Sequence, residues 1–238
     1  QQANVFAKDL NDLLDKVSKQ PLLYQPGDGW EYSVAHDVQA ALVEKLSGQK
    51  FDEFVRQRIF RPLEMKDTMF KVPADKLSRV PALYTRDRDG KMVVDTSDLG
   101  RDYGDKVFGG FSISTTIGDY ALFAQMLLNK GQLNGVRLLS PKTVELMSTN
   151  HVPAAALAAG SILGPGTGYG LGVSVLMSPA ERGNLGSAGE FGWSGAASTH
   201  VLIDPREDLD AIYCTQLMGE FAVRAHFVTM LYQSIVGN

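Results

Sequence analysis

The spacing of apolar residues along this 238-residue chain changes once, and that change limits the fold more than any other feature. Before the change, apolar positions recur at the helical period. Phe6, Leu10, Leu13, Leu14 and Val17 mark a first helix that ends before Pro21. A second runs from His36 to Leu46, with Val38, Ala41, Leu42 and Leu46 on one face, Ser33 placed to cap it and Gly48 to end it. A third, Phe51 to Phe60, stops ahead of Pro62. Thr116-Ile117-Gly118-Asp119 starts another that runs through Leu128 towards Gly131, and Ser140-Pro141 opens a short one. Between these, Lys71 to Lys106 is polar and broken by Pro73, Pro81 and Gly90, and reads as an irregular excursion holding a short hairpin.

After a loose Ala/Gly/Pro loop from Pro153 to Gly168 the period becomes two. Tyr169, Leu171, Val173, Val175 and Met177 alternate with smaller residues and read as one strand. Ala197 to Ile203 and Leu209 to Thr215 are two more, and the short Asp204-Pro205-Arg206-Glu207 connection makes them antiparallel neighbours. An amphipathic helix, Glu220 to Ile235, closes the chain and can cover one face of the sheet. Helices early and antiparallel strands late predict an α+β fold. Residues 1–150 form its mostly helical region, and 151–238 hold the sheet strands and the last helix.

Composition removes several function classes. The net charge is −4 and the basic residues are scattered, unlike the basic stripe of a nucleic-acid binder. The lone cysteine, Cys214, excludes an intrachain disulfide and is expected as a small core residue. No apolar run is long enough for a membrane span; the nearest, Ala154 to Leu163, is short and interrupted by Gly160. The chain opens Gln1-Gln2-Ala3-Asn4 without an initiator Met or a signal-peptide pattern, an N-terminus from which localisation is not readable; a soluble protein, cytoplasmic or periplasmic, is the expectation, with the compartment left unknown. His36, His151, His200 and His226 are dispersed, and the glycines from Gly164 to Gly172 lack a following Lys-Ser/Thr. No metal and no cofactor is expected.

Tyr32 is the residue with the most chemistry in its setting. It lies in Gly29-Trp30-Glu31-Tyr32-Ser33-Val34 immediately before a patterned helix. Three stretches in order, Pro26 to Ser33, Gly109-Gly110-Phe111-Ser112-Ile113-Ser114-Thr115 and Phe191-Gly192-Trp193-Ser194-Gly195-Ala196, carry a family resemblance. Gly168-Tyr169-Gly170-Leu171-Gly172 and Leu138-Leu139-Ser140-Pro141 add to it. The chain resembles the C-terminal two-thirds of a serine β-lactamase-like hydrolase, and is most similar to family VIII carboxylesterases, relatives of class C β-lactamases and D-alanyl-D-alanine peptidases. The resemblance implies a β-lactamase/transpeptidase-like fold, an antiparallel sheet flanked by helices beside a mostly helical region. It also implies a Ser-x-x-Lys nucleophile, a tyrosine motif matched by Tyr32, and a third motif on a strand edge. A serine hydroxyl needs a positioned base. A tyrosine, with an ordinary pKa near 10, serves only where a cation favours its phenolate.

By the same match, the backbone N–H of Ala196 is an oxyanion donor, with Trp193, Ser194 and Gly195 lining the acyl site. Two departures bear on substrate: Trp193 replaces the lysine that binds a β-lactam carboxylate, and Val34 replaces an amide-binding asparagine. Both remove polar handles and favour a small apolar ester over a β-lactam or peptide. The family places Ser-x-x-Lys well upstream of the tyrosine, and nothing in residues 1–31 matches it. The one such string, Ser47-Gly48-Gln49-Lys50, straddles a helix end. Ser194 followed by Asp204 or Asp208 and then His226 is a near miss to the α/β-hydrolase order, but it lacks the strand-turn-helix context. The reading is an esterase whose nucleophile lies outside these residues, on a complementing N-terminal segment or second chain. The alternatives are a non-catalytic relic or binding fragment of the same fold, or a β-lactamase or D-Ala-D-Ala peptidase activity. In this family the segment ahead of the tyrosine also supplies outer strands of the sheet, whose loss exposes edges.

Overall fold

The computed structural model describes residues 7–96, 106–153, 156 and 162–236. Phe6, and the parts of the expected excursion and loop at 97–105, 154–155 and 157–161, lie outside the described residues. Asp9 caps α1 (Leu10–Ser18) by accepting the Asp12 N–H at 2.9 Å. Leu10 and Leu13 of α1 meet Ala40 and Ala41 of α2 (Ala35–Ser47) around Phe108. Gly48 ends α2 in the left-handed conformation, as expected. The start of α2 departs from expectation. Ser33 does not cap it; the Val34 carbonyl accepts the Asp37 and Val38 N–H groups and closes the first turn by itself.

The third expected helix is regular only over α3 (Phe51–Val55) and widens into a π-helical turn at Arg56–Phe60. The excursion holds a 3₁₀ turn (Ala74–Arg79) and the expected hairpin, β1 (Tyr84–Arg86) against β2 (Met92–Val94). Thr116 caps α4 (Ile117–Leu128), and Ser140 caps α5 (Pro141–Met147) with Pro141 in its first turn. Between these two helices lies a small hairpin, β3 (Gln132–Leu133) and β4 (Val136–Arg137). Its Asn134-Gly135 loop has both residues at positive φ, the signature of a two-residue turn.

The single strand expected from Tyr169 to Met177 is instead two, β5 (Thr167–Tyr169) and β6 (Ser174–Leu176), paired antiparallel. Gly172 at φ +88° supplies the turn that a side chain would resist. A short α6 (Pro179–Arg182) follows, then β7 (Phe191–Ser194), β8 (His200–Asp204), β9 (Leu209–Tyr213) and α7 (Phe221–Gln233). The five longer-range strands form one antiparallel sheet in the order β5-β6-β7-β8-β9. Alternation along β7 and β8 divides the side chains between two faces. Phe191 and Ile203 join Ala124, Met126 and Leu127 of α4 in the main core. On the other face α7 is anchored through Tyr232, whose hydroxyl lies 2.7 Å from Glu190 and 2.6 Å from Asp204. Cys214, expected in the core, instead follows the last residue of β9, the edge strand of the sheet, and is exposed. No helix among the described residues is long and apolar enough to cross a membrane.

Candidate active site

The tyrosine motif and the third motif meet where Tyr32, just before α2, reaches Trp193 of β7. The approach to α2 is held from behind by the Gly109-Gly110 stretch. A Cβ on Gly109 would stand 2.1 Å from the His36 carbonyl oxygen, so only glycine lets the two backbones pack this closely. The Gly110 N–H then donates to Asp37 Oδ1 at 2.8 Å, which satisfies a carboxylate that is only 3% exposed. Nearby Ser112 keeps a left-handed backbone, φ +78°, while its Oγ accepts the Phe108 N–H at 3.0 Å. The 109–115 stretch thus packs on the first turn of α2, immediately after the stretch that holds Tyr32.

Tyr32 stacks on Trp193 with ring centroids 5.3 Å apart and planes 29° from parallel. Tyr169 meets the other side of the cluster, edge-on to Trp193 at 5.3 Å and tilted against Trp30 at 5.0 Å. Each such pair adds about 0.5–1.5 kcal/mol beyond simple burial. His36, in the first turn of α2, links in through Nε2 at 3.2 Å from the Tyr169 hydroxyl. Burial, with Tyr32 as a lesser contributor, pushes the Tyr169 pKa up, so this phenol stays protonated. The Tyr32 ring remains 43% exposed, and among the described residues its hydroxyl has no hydrogen-bond partner.

β6 pairs with β7 only as far as Gly192, where Ser174 Oγ donates to the Gly192 carbonyl at 2.9 Å. Trp193, Ser194, Gly195 and Ala196 therefore continue with an open edge. The turn that follows is tied down: the Ala196 carbonyl accepts the Gly219 N–H at 3.1 Å, and Gly195 N–H donates to Thr199 at 2.9 Å. Ala196 is exposed, and among the described residues its own N–H has no acceptor. A fixed, unspent backbone donor is what an oxyanion requires. Val34 is the half-buried residue that heads α2, two positions after Tyr32.

Ser194 is placed otherwise than Trp193. Its hydroxyl lies on the α7 side of the sheet, 3.0 Å from His200 Nδ1, and accepts from Arg224 Nη1 at 2.5 Å. Burial, and then the Arg224 charge, push the His200 pKa down to about 4, so the imidazole is neutral at ordinary pH. The histidine beside Ser194 is therefore His200 and not His226, and a turn and strand follow the serine where the α/β-hydrolase arrangement needs a helix. The Ser47-Gly48-Gln49-Lys50 string sits on the α2 terminus. There Ser47 Oγ accepts the Gln49 N–H at 3.1 Å, and Lys50 turns back to Glu44 at 3.4 Å. Trp30, Tyr169, His36, His200 and Arg224 were not singled out for the site from the sequence. For Trp30 and Tyr169 a signal existed, since both lie inside stretches that carry the resemblance; for Arg224 there was none. A separate cavity of about 270 Å³, lined by residues such as Asp52, Arg56, Phe60 and Phe70, contains none of these groups.

The profile of the Beta-lactamase family matches residues 1–232. Protein Rv1367c of Mycobacterium tuberculosis is 33% identical over 221 residues, which is 89% of this chain and 55% of that protein. The lovastatin esterase of Penicillium rubens is 30% identical over 225 residues, 86% of this chain and 54% of that one. Among solved structures, simvastatin synthase (LovD) from Aspergillus terreus superposes with a TM-score of 0.78 at 24% identity, covering 95% of this chain and 62% of its own. The chain thus spans about half the length of the two relatives it matches by sequence.

Proposed function

The chain belongs to the beta-lactamase family, whose members are hydrolases of the serine β-lactamase fold, and from that premise we propose that it is the tyrosine-bearing part of an esterase acting on small acyl esters through an acyl-enzyme. The observation that carries this reading is the stack of Tyr32 on Trp193, which joins the base motif to the oxyanion strand. In the proposed reaction the Tyr32 phenolate takes the proton of a serine supplied from outside these 238 residues, and the serine oxygen attacks the ester carbonyl. The Ala196 N–H, with the N–H of that serine, holds the oxyanion; one such donor is worth about 3 kcal/mol. Collapse expels the alcohol, which takes the proton back from Tyr32. Water, deprotonated in turn by Tyr32, then releases the acid and restores the serine. The apolar Trp193 surface and the ester named in the lovastatin esterase relative both support an ester over an amide.

A fluorophosphonate probe read by intact mass tests the location of the nucleophile. The expected result is no adduct on this chain alone, and activity once an upstream segment carrying Ser-x-x-Lys is added. An adduct on Ser194 or Ser47 would overturn the assignment. In the reconstituted enzyme Tyr32→Phe is expected to lower ester turnover by ~10²–10⁴, the usual worth of general base catalysis. Unchanged turnover would remove Tyr32 from the base role.

A further inference from the structure

Ser198 combines a backbone that its side chain disfavours with a hydroxyl that is fully used. It lies in the 195–199 turn between β7 and β8 at φ +63°, a left-handed conformation that glycine takes freely and a residue with a Cβ takes rarely. Such a backbone persists only where its surroundings hold it. Ser198 is 1% exposed, although Ala196 two positions earlier is open to solvent. Its hydroxyl donates to the Leu217 carbonyl at 2.8 Å and accepts the Glu220 N–H at 2.8 Å. A serine hydroxyl has one proton to give, so both its donor and its acceptor roles are spent on the segment between β9 and α7. A glycine would adopt this backbone without strain, so what the position takes from serine is the hydroxyl.

The Ser198 backbone reaches the other way, into the turn. Its N–H donates to the Gly195 carbonyl at 3.0 Å. That carbonyl and the Ala196 N–H belong to one planar trans peptide, and they point in opposite directions. Fixing the Gly195 carbonyl therefore fixes the direction of the Ala196 N–H. The next two residues are tied to the same outer segment: the Ala196 carbonyl accepts the Gly219 N–H at 3.1 Å, and the Ala197 carbonyl accepts the Thr215 hydroxyl at 2.7 Å. That segment is held in turn by the first hairpin. Tyr84 of β1 donates to Gln216 at 2.7 Å and accepts from Met218 at 2.9 Å, and Arg86 pairs with Glu220 at 2.9 Å. Resting on the esterase reading above, in which Ala196 holds the oxyanion, we infer that Ser198 is a positioning residue for that donor. Its N–H aims the Ala196 peptide, and its hydroxyl anchors that aim to the segment ahead of α7. An oxyanion donor is effective when it is oriented before the charge develops, and Ser198 supplies that orientation without touching the substrate.

The chain is prepared with isotope-labelled alanine, and the NMR order parameter of the Ala196 amide is read beside Ala211 of β9, Ala124 of α4 and Ala225 of α7. In the natural chain Ala196, although exposed in a turn, is expected to be as ordered as the strand, at about 0.85. A flexible Ala196 amide, below about 0.6, would overturn the proposal with no variant needed. Ser198→Ala keeps the Cβ and removes the hydroxyl. There Ala196 is expected to fall below about 0.6 while Ala211, Ala124 and Ala225 hold their values. An unchanged Ala196 would overturn the proposal. So would an equal fall at all four positions, which would make the hydroxyl a support of the whole fold. In the reconstituted enzyme Ser198→Ala is expected to lower kcat about tenfold or more at constant KM, because the oxyanion forms only in the transition state. A raised KM with kcat unchanged would contradict the role. The relaxation measurements need neither nucleophile nor ester. The positioning role can therefore fail while Tyr32→Phe still lowers turnover, and Tyr32 can fail as the base while the Ala196 amide stays fixed.

Discussion

The two faces of the five-stranded sheet differ: both bury apolar side chains, Leu202, Val228 and the Tyr213–Phe227 pair among them on the α7 side, but that side adds a set of polar contacts. On the α4 face Val175, Phe191 and Ile203 pack against Ala124, Met126 and Leu127, and partly buried Val201 and Ile212 extend that apolar layer. On the α7 face the same strands present Glu190, Ser194, His200 and Asp204, each satisfied by a specific donor or acceptor. Glu190 is paired with Arg182, and the Asp204 Oδ1 accepts the Arg206 N–H at 2.9 Å. Tyr232 bridges both carboxylates, and burial followed by those two hydrogen bonds drives its own pKa far up. The apolar face depends on volume, and any well-shaped hydrophobe serves it. The polar contacts of the α7 face depend on direction, since each hydrogen bond needs its donor and acceptor aligned. The candidate active site lies where the two meet, at the open end of β7.

That contrast can be broken by removing one side chain from each face. Phe191→Ala is expected to cost about 3–5 kcal/mol in urea unfolding, through lost transfer energy and the cavity left behind. A loss below 1 kcal/mol would show that α4 does not depend on close packing there. Tyr232→Phe changes almost no volume but withdraws the hydroxyl from two buried carboxylates, and should cost about 1–3 kcal/mol. A neutral result would show that the polar face is held by α7 packing alone. His200 sharpens the comparison by pH. An unfolded chain returns the imidazole to its ordinary 6.5, whereas the folded one holds it down at about 4, so between these values the unfolded state binds a proton that the folded state refuses. The contribution of His200 to stability is therefore complete above pH 6.5 and is lost as the pH falls towards 4. In His200→Gln the melting temperature should fall less over that interval, and an identical slope would remove His200 as its source.

What was legible in the sequence follows the same division. Thr116 and Ser140 announced their helices because a cap is a contact between residues three apart. The β8–β9 pairing was readable because its connection is short. The Tyr169–Met177 stretch misled because alternation survives a hairpin: the period of two continues on both sides of Gly172 while the chain reverses. Ser33 misled because the Val34 carbonyl had already closed the turn. Of the site, Tyr32, Val34, Trp193, Ser194, Gly195 and Ala196 were named from ordered motifs, and Tyr32 and Trp193 do meet.

The sequence by itself determined the α+β class, the larger helices, the pairing of the last two strands and the residues that carry the family resemblance, because periodicity, caps and motifs depend on neighbours along the chain. Only the tertiary structure decided that Trp30, Tyr169 and His36 close round the tyrosine–tryptophan stack, and that Ser194 turns away from it. It also decided that a guanidinium 30 residues further on reaches the serine. Those facts depend on which face of a strand a residue occupies and which distant element covers that face. A one-dimensional pattern states the alternation, but not what lies across from it.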